Sequence, residues 1–276
     1  MSKNLLLVGC GKMGAALLSG WLDADQIDRC VIVEPSQAMT AGFADWDEVT
    51  VAESPDEIPD GTGERSAFVP DIVVFAVKPQ VMDDVVPAYR RFVRPDTVFL
   101  SIAAGKSIAY LADRLGGGAP IVRAMPNTPA AVRAGITVCV QNDRVTDSEH
   151  ELAVFLLSAL GHVAWVEDEA LMDAVTAVSG GGPAYVFLLM EALAEAGEKA
   201  GLPAELAEEL ARITVTGAGQ LARQSGETAA TLRQNVTSPG GTTAEALREL
   251  MAEDGLQPLM DRAVDAAVAR SRALAD

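Results

Sequence analysis

Leu5-Leu6-Leu7-Val8 runs directly into Gly9-Cys10-Gly11-Lys12-Met13-Gly14, and this stretch constrains the chain more than any other. Four apolar residues bounded by glycine read as a buried strand. Beyond them Met13, Ala16, Leu17, Gly20 and Trp21 fall at i, i+3, i+4, i+7 and i+8, one face of a helix. Glycines spaced G-x-G-x-x-G between strand and helix have separate duties. Gly9 permits the tight turn, Gly11 lets a pyrophosphate approach the backbone, and Gly14 lets helix and strand pack closely. The helix start then offers N–H groups and a positive dipole end to phosphates. Glu34 ends the next apolar run, 20 residues after Gly14, where a carboxylate can accept both ribose hydroxyl protons of NAD. It would repel a 2′-phosphate, and no Lys or Arg stands between Pro35 and Glu64 to offset it, although the hydroxyls of Ser36 and Thr40 can still bond a phosphate. The pattern predicts a dinucleotide site that leans towards NADH over NADPH.

Two halves of different grain follow. Short β-branched runs at 5–8, 30–33, 49–52, 72–77, 97–102, 121–125, 135–140 and 162–166 alternate with amphipathic stretches, which predicts a parallel sheet covered on both faces. The Pro-, Gly- and acid-rich segment 54–70 reads as a surface loop. From about 167 strands disappear. Helical patterns occupy 169–178, 183–200, 203–225, 228–236, 243–253 and 256–274, punctuated by Gly180-Gly181-Gly182-Pro183 and by Gly201 and Pro203. The segment 185–190 is apolar all round and should be buried on every side, most easily by a second subunit. The expected fold is α/β: a Rossmann-like doubly wound sheet over 1–166, then an all-α domain over 167–276.

Charge and missing residues narrow the chemistry. A formal charge of −18, from 39 Asp+Glu against 21 Lys+Arg, argues against nucleic-acid or anionic-membrane binding. No stretch of ~18 uninterrupted apolar residues suggests a membrane span, and the first residues do not resemble a secretory signal. Three cysteines without C-x-x-C spacing fit a reducing cytoplasm. The two histidines, His150 and His162, lie far from any glycine loop, and Lys199 is the only lysine after Lys106. With no H-E-x-x-H and no nucleophile elbow, no metal site and no acyl transfer is expected. Hydride transfer to a ketone usually needs a strong proton donor such as His or Lys. An imine needs less, because its nitrogen can arrive protonated.

Four loops supply candidate walls. Ala76-Val77-Lys78-Pro79-Gln80, Ser101-Ile102-Ala103-Ala104-Gly105 and Arg123-Ala124-Met125-Pro126-Asn127-Thr128-Pro129-Ala130 each follow a strand, where ligands of open parallel sheets bind. In the helical half, Thr237-Ser238-Pro239-Gly240-Gly241-Thr242-Thr243 opens a helix. Thr242 with Glu245 matches a capping box, which would leave the N–H groups of Gly241, Thr242 and Thr243 to receive a small carboxylate.

The glycine loop Gly9–Gly14, with Ala76–Gln80, Arg123–Ala130, 173–185 and Asn235–Thr243, resembles the Δ1-pyrroline-5-carboxylate reductases, and the similarity runs almost from end to end. The resemblance implies reduction of that cyclic imine to L-proline by NAD(P)H, in a homodimer or an assembly of dimers. It implies cofactor contacts at Gly9, Gly11, Lys12, Met13, Gly14, Glu34, Ser36, Ala76, Val77, Lys78, Pro79, Ala103, Ala104, Gly105, Asn127 and Asn235. It places substrate at Gly240, Gly241, Thr242, Thr243 and Glu169, with Thr243 the hydrogen-bond partner of the ring nitrogen and so the catalytic candidate. Two departures stand out: Gly181 replaces a serine of the family's S-G-S-G-P-A-Y, and Glu34-Pro35-Ser36 lacks the arginine that suits NADPH. A β-hydroxyacid dehydrogenase relative, or a nucleotide-binding regulator without turnover, are the rival readings.

Overall fold

In the computed structural model of the protein, which describes residues 3–59 and 67–275, the first half is one eight-stranded sheet. Its strands are β1 (Asn4–Val8), β2 (Arg29–Val33), β3 (Val49–Ala52), β4 (Ile72–Phe75), β5 (Val98–Ser101), β6 (Ile121–Met125), β7 (Gly135–Gln141) and β8 (Gly161–Trp165), in the order β3-β2-β1-β4-β5-β6-β7-β8. The order reverses between β1 and β4, the topological switch of a doubly wound sheet. Alternate residues of one strand serve opposite layers. Leu5 and Leu7 pack with Trp21, Ile32 and Val74 on one face, and Leu6 and Val8 with Val31, Phe75 and Tyr89 on the other. That two-sided burial is why these strands read as continuous apolar runs.

One expectation fails. β7 runs antiparallel to β6, with Ala124 opposite Cys139. Only residues 126–134 join the two strands, too few for the crossover that a parallel pair needs, so the chain reverses there. β8 then returns parallel to β7. Of the expected surface loop at 54–70, residues 60–66 lie outside the described residues, and Pro55–Glu57 forms a 3₁₀ turn.

The helices of this half are α1 (Lys12–Asp23), the short α2 (Gln37–Thr40) and α3 (Met82–Val85), α4 (Ile108–Leu115), α5 (Asp147–Ser158) and α6 (Met172–Val175). α5 starts on a complete capping box between Thr146 and Glu149. The Trp21 indole of α1 donates to the Leu156 carbonyl of α5 at 2.9 Å, which joins two helices on the same face of the sheet. The helical half continues with α7 (Gly182–Lys199), α8 (Ala204–Ser225), α9 (Ala229–Asn235), α10 (Thr242–Leu250) and α11 (Leu256–Ala275). A π-helical turn at Thr176–Gly180 joins α6 towards α7.

The chain groups into two compact units, Met1–Gly180 with Val268–Asp276, and Gly181–Ala267. The last turns of α11 therefore belong with the sheet. Ser271 donates to Asp173 at 2.7 Å and Arg272 pairs with the same carboxylate at 3.5 Å. Within the second unit α7 packs on α8, where Gly197 lets Ala207 come close. The expected all-round burial of 185–190 is not met inside one chain: Phe187 is 55% exposed and Leu188 63% exposed. One packed neighbour covers one stripe of α7 and leaves the rest uncovered. An 18-residue window of the helical stretch Glu169–Lys199 has mean hydropathy 1.3, so by length and composition alone the stretch is long and apolar enough to cross a membrane.

Cys10, Cys30 and Cys139 are buried and free. Burial pushes the Cys10 thiol up to about 11, aided by the Glu34 charge, and pushes Cys30 and Cys139 up to about 12. Their folded values lie above the ordinary thiol value of 9.0, so the native state holds these protons more tightly than the unfolded chain. The stability this gives is complete below pH 9 and is lost as pH rises through the folded values. Native protein at pH 8 should therefore add no iodoacetamide by intact mass, and protein in urea should add it at all three cysteines. Alkylation of the native protein at Cys10 would contradict this account.

Candidate active site

Register builds the first part of the site. Val8 pairs with Val33 on one side and with Phe75 on the other. Gly9, Glu34 and Ala76 therefore leave three neighbouring strands at one level. Gly9 has φ +91°, and a Cβ there would lie 2.7 Å from the Val77 side chain. A Cβ on Gly14 would lie 2.4 Å from the Gly9 carbonyl oxygen, so helix and loop approach as the spacing implied. Gly11 differs: a Cβ there meets nothing within 4 Å. No neighbour in the chain demands glycine at that position, which fits a residue kept bare for a ligand's phosphates.

Glu34 is fixed from two directions. One carboxylate oxygen accepts the Cys10 N–H at 2.9 Å and the other accepts the Ser36 N–H at 3.0 Å. It tethers the glycine loop to the end of β2 and keeps negative charge where the ribose of a dinucleotide would lie. Thr40 is 5% exposed and its hydroxyl donates to the Gln37 carbonyl at 3.2 Å, so it faces inward and offers nothing to a phosphate. Beside Glu34 lies a cavity of about 250 Å³ lined by Val8, Gly9, Val33, Pro35, Val77 and Tyr89 among others. Lys12, at the first turn of α1, and Lys78, after β4, are exposed cations in this half of the molecule. Met13 packs against the core, and Pro79 starts a 3₁₀ turn.

The loops after β5 and β6 are braced by a bond set that the sequence reading missed. Arg123 is 8% exposed, on a strand that is otherwise apolar, and its guanidinium pairs with Glu169 at 2.8 Å. The same Glu169 oxygen accepts the Ile108 N–H, at the start of α4, at 2.9 Å. Glu169 thus ties β6 to the segment carrying Ala103, Ala104 and Gly105. The Ala103 methyl is packed in the core and Gly105 has φ +76°. An arginine inside an apolar strand was the available signal, since a buried guanidinium demands a carboxylate. Asn127 is engaged as well: its carbonyl accepts the Ile136 N–H at 3.0 Å and its amide reaches the Ser179 hydroxyl at 3.4 Å.

In the second unit, Ser238-Pro239-Gly240-Gly241 forms a turn closed by the Gly241 N–H on the Ser238 carbonyl at 3.0 Å, with Gly240 at φ +69°. This corrects two expectations. The N-cap of α10 is Gly241 and no side chain caps the helix, so the Thr242–Glu245 capping box does not form; Thr242 is already inside the first turn and Glu245 pairs with Arg248 at 3.0 Å. The Gly241 N–H is also spent in the turn. The unpaired donors shift forward to Thr242, Thr243 and Ala244, the first-turn positions that have no intrahelical acceptor. Thr242 and Thr243 are exposed. Asn235, at the end of α9, donates to Glu227 at 3.2 Å. Lys199 pairs with Glu195 at 2.8 Å. The structure thus gathers the predicted cofactor residues other than Asn235 in the first unit with Glu169, and Gly240, Gly241, Thr242 and Thr243 in the second.

The family profile described as pyrroline-5-carboxylate reductase dimerisation matches residues 169–274, and one described as NADP oxidoreductase coenzyme F420-dependent matches residues 4–105. A pyrroline-5-carboxylate reductase of Pseudomonas aeruginosa is 42% identical over 275 residues, covering 99% of this chain and 97% of that protein. The chain belongs to the pyrroline-5-carboxylate reductase family. Among solved structures, the pyrroline-5-carboxylate reductase of Coxiella burnetii superposes with a TM-score of 0.91 at 34% identity, covering 100% of both chains. The Plasmodium falciparum pyrroline carboxylate reductase, solved with NADP bound, superposes at 0.80 with 29% identity, covering 99% of this chain and 98% of that one.

Two outcomes test the site. Gly11→Ala should keep the melting temperature within about 2 °C while weakening NADH binding by roughly tenfold or more, whereas Gly14→Ala should lower the melting temperature outright. Matching effects from the two would remove the distinction drawn from their surroundings. Glu169→Ala should speed hydrogen exchange at the Ile108 amide by about tenfold or more, since that N–H loses its acceptor. Unchanged exchange there would show that the brace does not hold the loop.

Proposed function

We propose that this chain reduces Δ1-pyrroline-5-carboxylate to L-proline, with NADH the preferred cofactor. The observation that carries the reading is the start of α10, where the N–H groups of Thr242, Thr243 and Ala244 are unpaired beside two exposed hydroxyls. A carboxylate settles on such a helix start, because the donors and the dipole both favour an anion. This matters in a chain of net charge −18, whose overall field repels an anionic substrate. The dinucleotide supplies the hydride when bound.

The remaining tasks fall to the chain. The Gly9–Gly14 loop and α1 hold the pyrophosphate, Glu34 receives the ribose hydroxyls, and Ala76, Val77, Lys78, Pro79, Ala104, Gly105 and Asn127 flank the nicotinamide end. Thr242 and the backbone of Gly240 and Gly241 shape the carboxylate site. Thr243 hydrogen-bonds the ring nitrogen, which ends the reaction as an amine carrying the proton it brought or one from solvent. No histidine or lysine is needed for that proton. Lys199, the lysine a β-hydroxyacid dehydrogenase reading would require, is held by Glu195 at the end of α7.

Residues 167–276 are read as the dimerisation and substrate domain. The exposed faces of α7 and α8, with Phe187, Leu188 and Ile213, suit a second copy of the chain rather than lipid. The stretch before α7 is broken by a π turn and carries Asp173 in bonds to Ser271 and Arg272. A larger homo-oligomer built from such dimers, in the cytoplasm, completes the reading.

Absorbance assays with Δ1-pyrroline-5-carboxylate should show faster oxidation of NADH than of NADPH at matched concentrations. Thr243→Ala should lower turnover by roughly 10²-fold while changing NADH affinity far less. Protein that binds dinucleotide but oxidises neither cofactor would overturn the reductase reading, and equal losses in turnover and NADH affinity would remove the role of Thr243.

A further inference from the structure

Glu34 is not the only carboxylate at the adenosine end. The parallel pairing of β2 with β3 sets Val33 opposite Ala52, so the next residues, Glu34 and Glu53, leave adjacent strands at the same level. Glu53 and Asp84, the latter on α3, line the same cavity of about 250 Å³ as Glu34 and Gly9. Three acidic residues from three elements thus line one small space, and no Lys or Arg is among its lining residues. Arg91 reaches one wall of it, but its guanidinium is committed to the Pro55 carbonyl and lies 4.8 Å from the Phe92 ring centroid.

Two donors near the end of β2 that a 2′-phosphate could use are also taken, while the Ser36 hydroxyl makes no bond to the first turn of α2. In dinucleotide folds of this kind such a phosphate is received near the acid that follows the second strand. Here the Ser36 N–H is bonded to Glu34 at 3.0 Å, and the Gln37 side-chain amide is bonded to Glu53 at 2.9 Å. Gln37 could otherwise swing to an incoming phosphate. Glu53 in turn is steadied by Glu57, whose carboxylate accepts the Glu53 N–H at 3.0 Å.

We infer that Glu53, together with Asp84, is a specificity determinant that rejects 2′-phosphorylated cofactor independently of Glu34. The inference rests on the reading of the glycine loop as a nicotinamide dinucleotide site. Glu53 acts twice, by occupying the Gln37 amide and by adding charge on the ribose side, and Asp84 adds charge from α3. Because Glu34 also secures the Cys10 N–H, replacing it alone disturbs binding of both cofactors, whereas Glu53 and Asp84 make no bond to the glycine loop among the described residues.

The test is fluorescence titration of NADH and NADPH on the full chain without imine, so that turnover plays no part. Glu53→Gln with Asp84→Asn removes charge at nearly constant shape, and the Gln side chain can still accept from Gln37. The double variant should raise the NADPH-to-NADH affinity ratio by about tenfold. Asp47→Asn, an exposed acid outside the cavity, should leave that ratio unchanged. In the unaltered protein the gap between the cofactors should narrow as salt rises, because the repulsion is screened. A ratio within twofold of the starting value in the double variant, or an equal rise in Asp47→Asn, overturns the inference while leaving the dinucleotide reading intact. Failure of the unaltered protein to bind either cofactor overturns the dinucleotide reading itself, and the inference with it.

Discussion

The parallel ladder joining β3, β2, β1 and β4 is the constraint on which the first half of the site depends. Because Ala52, Val33, Val8 and Phe75 lie in register, the residues after them reach the same edge together. Glu53, Glu34, Gly9 and Ala76 are neighbours for that reason and not through contacts of their own. A slip of one residue in any of these pairs would turn the core-facing leucines of β1 to the wrong layer, so burial on both faces locks the edge in place. The positions of these side chains are thus inherited from the hydrophobic core.

The second unit solves a different problem with the same backbone chemistry. A protein this acidic cannot attract an anion by its overall field, and in the proposed reading local donors do so instead: a turn that spends the Gly241 amide leaves the next positions of the first turn of α10 without an intrahelical acceptor. Both regions are glycine-rich turns that lead into helices, which suits the first to phosphates and the second to a carboxylate in the proposed reading. What distinguishes them is the surrounding charge. The first is bordered by Lys12 and Lys78 as well as by acids, whereas the second presents hydroxyls.

Much of this was legible in the sequence, for reasons that differ by residue. Strand positions followed from uninterrupted apolar runs, and the glycine loop from its place between strand and helix. The direction of β7 was not legible, because residue pattern fixes that a strand exists but not which way it points; the shortness of the 126–134 connection held the clue. The extent of the brace around Glu169 was hidden because its partners, Arg123 and the Ile108 amide, are 46 and 61 residues away in the chain. The start of α10 was misread by one residue: Thr242 and Glu245 satisfy the capping-box spacing, but the Ser238–Gly241 turn claims the cap position first. Glu53 and Asp84 belong to no motif of the sequence, and only the fold sets them around one cavity.

The return of α11 to the sheet-bearing unit bears on how the chain acquires its shape during synthesis. Residues from Val268 onward group with the sheet-bearing unit, and Asp173 waits for Ser271 and Arg272. The helical unit is therefore an insertion within the first unit rather than an appendage to it. As the chain emerges, the sheet can form early, but its closing bonds cannot be made until nearly all of the helical unit has been extruded. The two parts are thus coupled in time: the unit that begins first is the one that finishes last.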